Sequence, residues 1–171
     1  NFFINTSNIT YDLESDKIFS DENTILDDSD SNIIDVQNFK LDIRENVFIA
    51  NDVVITDKNL NIFEIKKIYY DFYKKRILGQ DIEINEDNKL SSENYLPRSK
   101  SKSLIYENGD FTLKKGVFTN CKKREGCSPW SITAKKVKHD KDKKIIKYDN
   151  AVFKLYDVPV VYFPKFFHPD P

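Results

Sequence analysis

Two cysteines, two histidines and a surplus of carboxylates are the residues of this chain whose types could do chemistry. Cys121 and Cys127 are separated by Lys122, Lys123, Arg124, Glu125 and Gly126. That spacing fits no zinc knuckle, and there is no second cysteine pair to complete one. Phe118-Thr119 and Trp130-Ser131-Ile132 flank the segment and read as strands, so the cysteines fall at the two ends of a hairpin loop. Three pairings remain open: a disulfide within the hairpin, a bond to a segment outside this sequence, or two free thiols. The neighbouring cations lower a thiol pKa and favour exchange. Closing so short a loop would contribute roughly 2 kcal/mol. His139 and His168 are far apart in sequence and have no cysteine or carboxylate at ligand spacing, so no metal or other cofactor is expected. Four glycines cannot supply a phosphate loop together with the turns. No nucleophile elbow is present, and pairs drawn from 28 carboxylates carry no information. The sequence predicts no catalytic residue and no enzyme.

The elements that hold these residues read as strands. Ile9, Tyr11 and Leu13 share one parity; so do Phe39, Leu41 and Ile43, then Ile68, Tyr70 and Phe72, then Phe111 and Leu113, then Ala151, Phe153 and Leu155. Side chains alternate faces along a strand, so each set lines one face. β-branched and aromatic residues dominate these runs. Turn-forming clusters lie between them, including Glu14-Ser15-Asp16, Asp57-Lys58-Asn59 and Glu86-Asp87-Asn88. Residues 62–78 also admit a helical reading, but their β-branched and aromatic content favours two strands. A motif repeats along the chain: apolar, any residue, apolar or aromatic, Asp, then a β-branched residue five or six positions on. It ends at Asp12, Asp42, Asp71 and, after a longer gap, Asp140. A repeat of this length built from strands predicts a stacked β architecture. Each Asp is expected to hydrogen-bond its own turn backbone.

Composition narrows the class. The chain has 171 residues, long enough to bury a core unaided. Thirteen Phe and nine Tyr are too many for a disordered tail, and no apolar run is long enough for a membrane-spanning helix. It begins at Asn1 and has no Met, as expected of a processed protein or a piece of a longer one. Charge is split: residues 1–60 hold 13 Asp and Glu against 4 Lys and Arg, whereas residues 98–147 hold 15 Lys and Arg against 5 Asp and Glu. Residues 135–147 of the basic half have the lysines, but their apolar residues alternate as in a half-buried strand, so nucleic acid is not an expected partner.

The stretches Gly116-Val117-Phe118-Thr119-Asn120-Cys121, Trp130-Ser131-Ile132, Val137-Lys138-His139-Asp140, Asn150-Ala151-Val152-Phe153 and Val158-Pro159-Val160-Val161-Tyr162-Phe163-Pro164 occur in that order, and the chain closes with His168-Pro169-Asp170-Pro171. Together with the earlier Asp repeat and Ala50-Asn51-Asp52-Val53, this order resembles the LptD, or OstA, family of outer-membrane lipopolysaccharide-assembly proteins.

That resemblance implies an all-β fold: an open, V-shaped antiparallel β-jellyroll over residues 1–167, facing the periplasm. Residues 168–171 would begin a linker to a transmembrane β-barrel in the outer membrane. It implies lipopolysaccharide as ligand, a periplasmic bridge protein of the same fold as edge-to-edge partner, and a lipoprotein plugging the barrel. The slot for acyl chains is expected at Phe39, Leu41, Ile43, Ile68, Tyr70, Phe72, Phe111 and Leu113. The docking edge is expected at Asn8, Ile9, Thr10, Tyr11, Asp12 and Leu13. Cys121 matches a family cysteine that bonds to the barrel, and Cys127 is a second candidate for that bond. The rival readings are the bridge subunit itself and a β-repeat adhesion or scaffold module.

Overall fold

The computed structural model describes residues 2–28, 33–56, 60–85, 98–107, 110–119, 129–140 and 142–169. Four N-terminal strands are short: β1 (Phe2–Thr6), β2 (Thr10–Asp12), β3 (Lys17–Ser20) and β4 (Thr24–Asp28). The rest run 10 to 12 residues, longer than the short strands expected: β5 (Ile33–Asp42), β6 (Val47–Thr56), β7 (Ile62–Asp71), β8 (Arg76–Asn85), β9 (Arg98–Glu107), β10 (Asp110–Thr119), β11 (Trp130–Asp140), β12 (Ile145–Leu155) and β13 (Val158–Pro169). No helix occurs among the described residues. Residues 62–78 form β7 and the start of β8, as their composition predicted.

All thirteen strands join one open antiparallel sheet in the order β1-β4-β5 and onward to β13, with β2 and β3 attached to β5. The open, jellyroll-like all-β fold expected from the sequence is the one found.

The four repeated Asp residues end β2, β5, β7 and β11 and do the structural work foreseen for them. Asp12 Oδ1 accepts from the amide of Glu14 at 3.0 Å, Asp42 Oδ1 from that of Glu45 at 3.0 Å, Asp71 Oδ1 from that of Lys74 at 2.9 Å, and Asp140 Oδ1 from that of Lys143 at 3.2 Å. Four residues after each Asp the chain turns left-handed, at Asp16 (φ 58°), Asn46 (54°), Lys75 (50°) and Lys144 (49°). The carboxylate holds the turn, and the left-handed residue returns the chain to the next strand.

These bonds favour the ionised form, so all four carboxyls lie below their ordinary pKa. The leading cause is the Ser15 hydroxyl for Asp12, the Glu45 amide for Asp42, the Lys74 amide for Asp71 and the Lys147 ammonium for Asp140. A depressed folded pKa adds stability above the unfolded value of about 4, and that stability is lost as pH falls through the folded value. Urea midpoints are therefore expected to drop between neutral and strongly acidic pH. An Asp42→Asn/Asp71→Asn variant should be less stable at neutral pH and show a flatter dependence.

Candidate functional site

Simple alternation does not hold through the long strands. β5, β6, β7, β8, β10 and β11 each bury two residues three positions apart, and in β7, β8, β10 and β11 the pair between them is turned outward. In β7, Ile65 and Ile68 are buried while Lys66 and Lys67 are exposed; in β8, Gly79 and Ile82 are buried around Gln80 and Asp81. In β10 the buried pair is Leu113 and Gly116 around Lys114 and Lys115; in β11 it is Ala134 and Val137 around Lys135 and Lys136. In register, these steps form a crease across the sheet. One residue of the outer pair is left-handed in every second strand: Asp52 (φ 49°), Asp81 (47°), Lys115 (53°) and Asn150 (52°). Asp and Asn tolerate this conformation best, and three of the four positions use them.

Two rows of side chains flank the crease on its inner side. One starts at Phe39 and passes through Ala50, Ile68, Gly79, Leu104, Leu113, Val137 and Tyr148 to Phe166, one residue per strand from β5 to β13. The other starts at Val36 and continues through Val53, Ile65 and Ile82. The rows touch at Gly79: a Cβ there would lie 3.3 Å from Leu104 Cβ and 3.5 Å from Ile65 Cγ2. Burial is deepest along the crease and declines outward, to half-buried Ile34 and Ile55 on one arm and Phe48 and Ile77 on the other. The result is a trough with an apolar floor.

The residues expected to line a slot divide by position. Phe39, Ile68 and Leu113 are buried in the floor, and Phe39 stacks on Phe48 with centroids 5.7 Å apart. Leu41, Tyr70 and Phe111 are half-buried in the next row out on the same face, linked in register through Phe48, Ile77 and Tyr106. Ile43 and Phe72 lie past the ends of β5 and β7, in turns, and are 39% and 41% exposed. Of the expected docking edge, only Thr10, Tyr11 and Asp12 are in a strand; Asn8 and Ile9 precede β2, and Leu13 is in the turn after it. Cys121 and Cys127 lie outside the described residues.

No family model matches the chain. A 52-residue stretch, 30% of the chain, is 40% identical to proteins of Yersinia pestis bv. Antiqua (strains Antiqua and Nepal516) and Yersinia pseudotuberculosis serotype I (strain IP32953). Their name is LPS-assembly protein LptD. The stretch covers 6% of the length of each LptD.

Sequence reasoning put Phe153 on one face with Ala151 and Leu155 but missed that it meets Phe118 and Trp130 on the opposite arm of the trough, in a chain of rings with centroids 6.0 and 6.3 Å apart. It also missed that the histidines share a row. His139 pairs in register with Ile146, which pairs with His168, so one strand separates them. His139 stacks on Phe111 at 4.8 Å, and His168 Nε2 lies 3.1 Å from the Tyr148 hydroxyl, whose pKa burial raises. No group of three or more His, Cys, Asp or Glu suited to a metal occurs among the described residues. The trough is largely apolar, with buried Ser20 and Thr24 in register with the first floor residues, Ser101 beside Ile82 in β9, and Tyr148 and the histidines toward its C-terminal end, which suits hydrocarbon better than a reacting group.

Proposed function

We propose that the chain is a periplasmic domain of an outer-membrane lipopolysaccharide transporter, and that its trough carries acyl chains. The observation that carries this reading is the floor row from Phe39 to Phe166, nine strands long, in which the Tyr148 hydroxyl is the one side-chain polar group. The 52-residue similarity to LPS-assembly protein LptD supports lipopolysaccharide as the cargo. Each CH₂ buried contributes about 0.8 kcal/mol without directional contacts, so a chain can slide along such a floor without a chemical step. In this reading a bridge protein of the same fold delivers lipid at the N-terminal edge, near Asn8 to Leu13. The chain beyond residues 168–171 continues into a barrel plugged by a lipoprotein. Cys121 and Cys127 bond to each other or to that barrel.

Photo-crosslinking tests the trough. A photoreactive residue at Leu41, Tyr70 or Phe111 is expected to capture lipopolysaccharide at least about tenfold more than one at Lys40, which faces out of the same strand as Leu41. Equal capture at inner and outer positions would sink the reading.

A further inference from the structure

The outer ridge of the crease carries two polar residues on each strand from β5 to β12 and Lys165 beside Pro164 on β13, and its charge is uneven. Across β6 to β9 it is ion-paired: Lys66 Nζ lies 2.5 Å from Asp52 Oδ1, and Lys102 Nζ lies 3.0 Å from Asp81 Oδ1. Across β10 to β13 it holds Lys114, Lys115, Lys135, Lys136 and Lys165 against one carboxylate, Asp149. None of these five lysines makes an ion pair among the described residues, whereas Lys138 and Lys147 nearby are paired with Asp110 and Asp140. Register concentrates the charge: Lys114 faces Lys136, which faces Asp149, which faces Lys165. An open outer groove runs over them. Like charges directly opposite in an antiparallel pair are destabilising, so Lys114 and Lys136 oppose the fold that holds them. Beside them on β13, Tyr162 and Phe167 are 56% and 70% exposed. They alternate with inward Phe163 and Phe166 and share the outer side with Lys165.

We propose that this basic ridge docks the chain on the surface of an anionic phospholipid bilayer. Lysines supply point charges to headgroup phosphates, each attracted independently of exact geometry. Aromatic side chains at the rim of a basic patch occupy the headgroup level, where one end of the ring is wet and the other apolar. Single-stranded nucleic acid would want aromatics between the cations, and the ridge has none there. The ridge is on the opposite side of the sheet from the trough, so the inference holds whether or not the trough carries lipid.

Co-sedimentation of the 171-residue chain with phosphatidylcholine vesicles, with and without phosphatidylglycerol, tests it. Binding is expected only with phosphatidylglycerol and should weaken as salt rises. Lys114→Gln/Lys135→Gln/Lys136→Gln/Lys165→Gln should lower partitioning on the order of 1000-fold. The equally charged control Lys40→Gln/Lys75→Gln/Lys143→Gln/Lys144→Gln should retain most of it. The proposal is overturned by equal binding to neutral vesicles, by an equal loss in the control, or by sedimentation without vesicles, which would mean self-association. Displacement by inorganic phosphate at constant ionic strength would make the ridge a free-anion site, and tighter capture by a single-stranded RNA oligonucleotide would make it a nucleic-acid surface. Either result also overturns the proposal.

Discussion

Ile65→Asp and Ile68→Asp are each expected to unfold the sheet, whereas Lys66→Ala and Lys67→Ala, between them, leave it folded. The pattern tests the crease. In a strand that alternates throughout, residues 65 and 67 share one face, and 66 and 68 share the other. In the structure Ile65 and Ile68 are 5% and 8% exposed in the inner rows, and both lysines face out. An uncompensated buried carboxylate costs about 3–5 kcal/mol or more, a large part of the 5–15 kcal/mol that holds an ordinary domain together. Removing Lys66 breaks an exposed ion pair with Asp52, a loss of under about 1 kcal/mol. Urea denaturation followed by circular dichroism gives the comparison. If Lys67→Ala proves as damaging as Ile65→Asp, the strand alternates through its middle and the crease is wrong.

The Asp turns were legible in the sequence because a particular side chain does the work: only a short acceptor reaches the amide two or three residues on, so the residue type marks the place. The inner face of Phe39, Leu41, Ile68, Tyr70, Phe111 and Leu113 was also legible, since these six lie on one side of the crease, where alternation is unbroken. The crease itself was hidden. Two apolar residues three apart, as at Ile65 and Ile68, are also what a helix shows, which is why residues 62–78 admitted a helical reading. The tight turn at Tyr156 and Asp157 left no signal either. Both residues are left-handed (φ 48° and 64°), joining β12 to β13 through a two-residue loop. Such loops ordinarily announce themselves with Asn-Gly or Asp-Gly; here the flanking strand pairing holds Tyr156 in a conformation its side chain disfavours. The row shared by His139 and His168 depends on β12 lying between their strands, and sequence distance carries no information about that.

If a bridge protein of the same fold docks as proposed, proline at one of two adjacent positions in β2 is expected to weaken its binding by about tenfold or more, and proline at the other to spare it. β1 pairs only with β4 and β2 only with β3, so each leaves an edge open among the described residues. Open edges accept added strands through main-chain hydrogen bonds. Along an antiparallel strand, successive amides point alternately to the two sides. Of Thr10 and Tyr11, one therefore directs its N–H toward β3 and the other toward the free edge. Proline removes that donor. The outward variant should lose binding by about tenfold or more, since an unmet partner carbonyl adds to the lost bond. The inward variant weakens the contact with β3 instead. Both should stay folded, because Thr10 and Tyr11 are exposed and contribute nothing to the buried core. Asp12 is not a usable third site: its carboxylate accepts from the Glu14 amide and, at 2.5 Å, from the Ser15 hydroxyl, so a change there damages the turn whatever happens at the edge. A pull-down with thermal melts of both variants distinguishes the outcomes. Unchanged binding by both would move docking away from β2, to the open side of β1 or of β13.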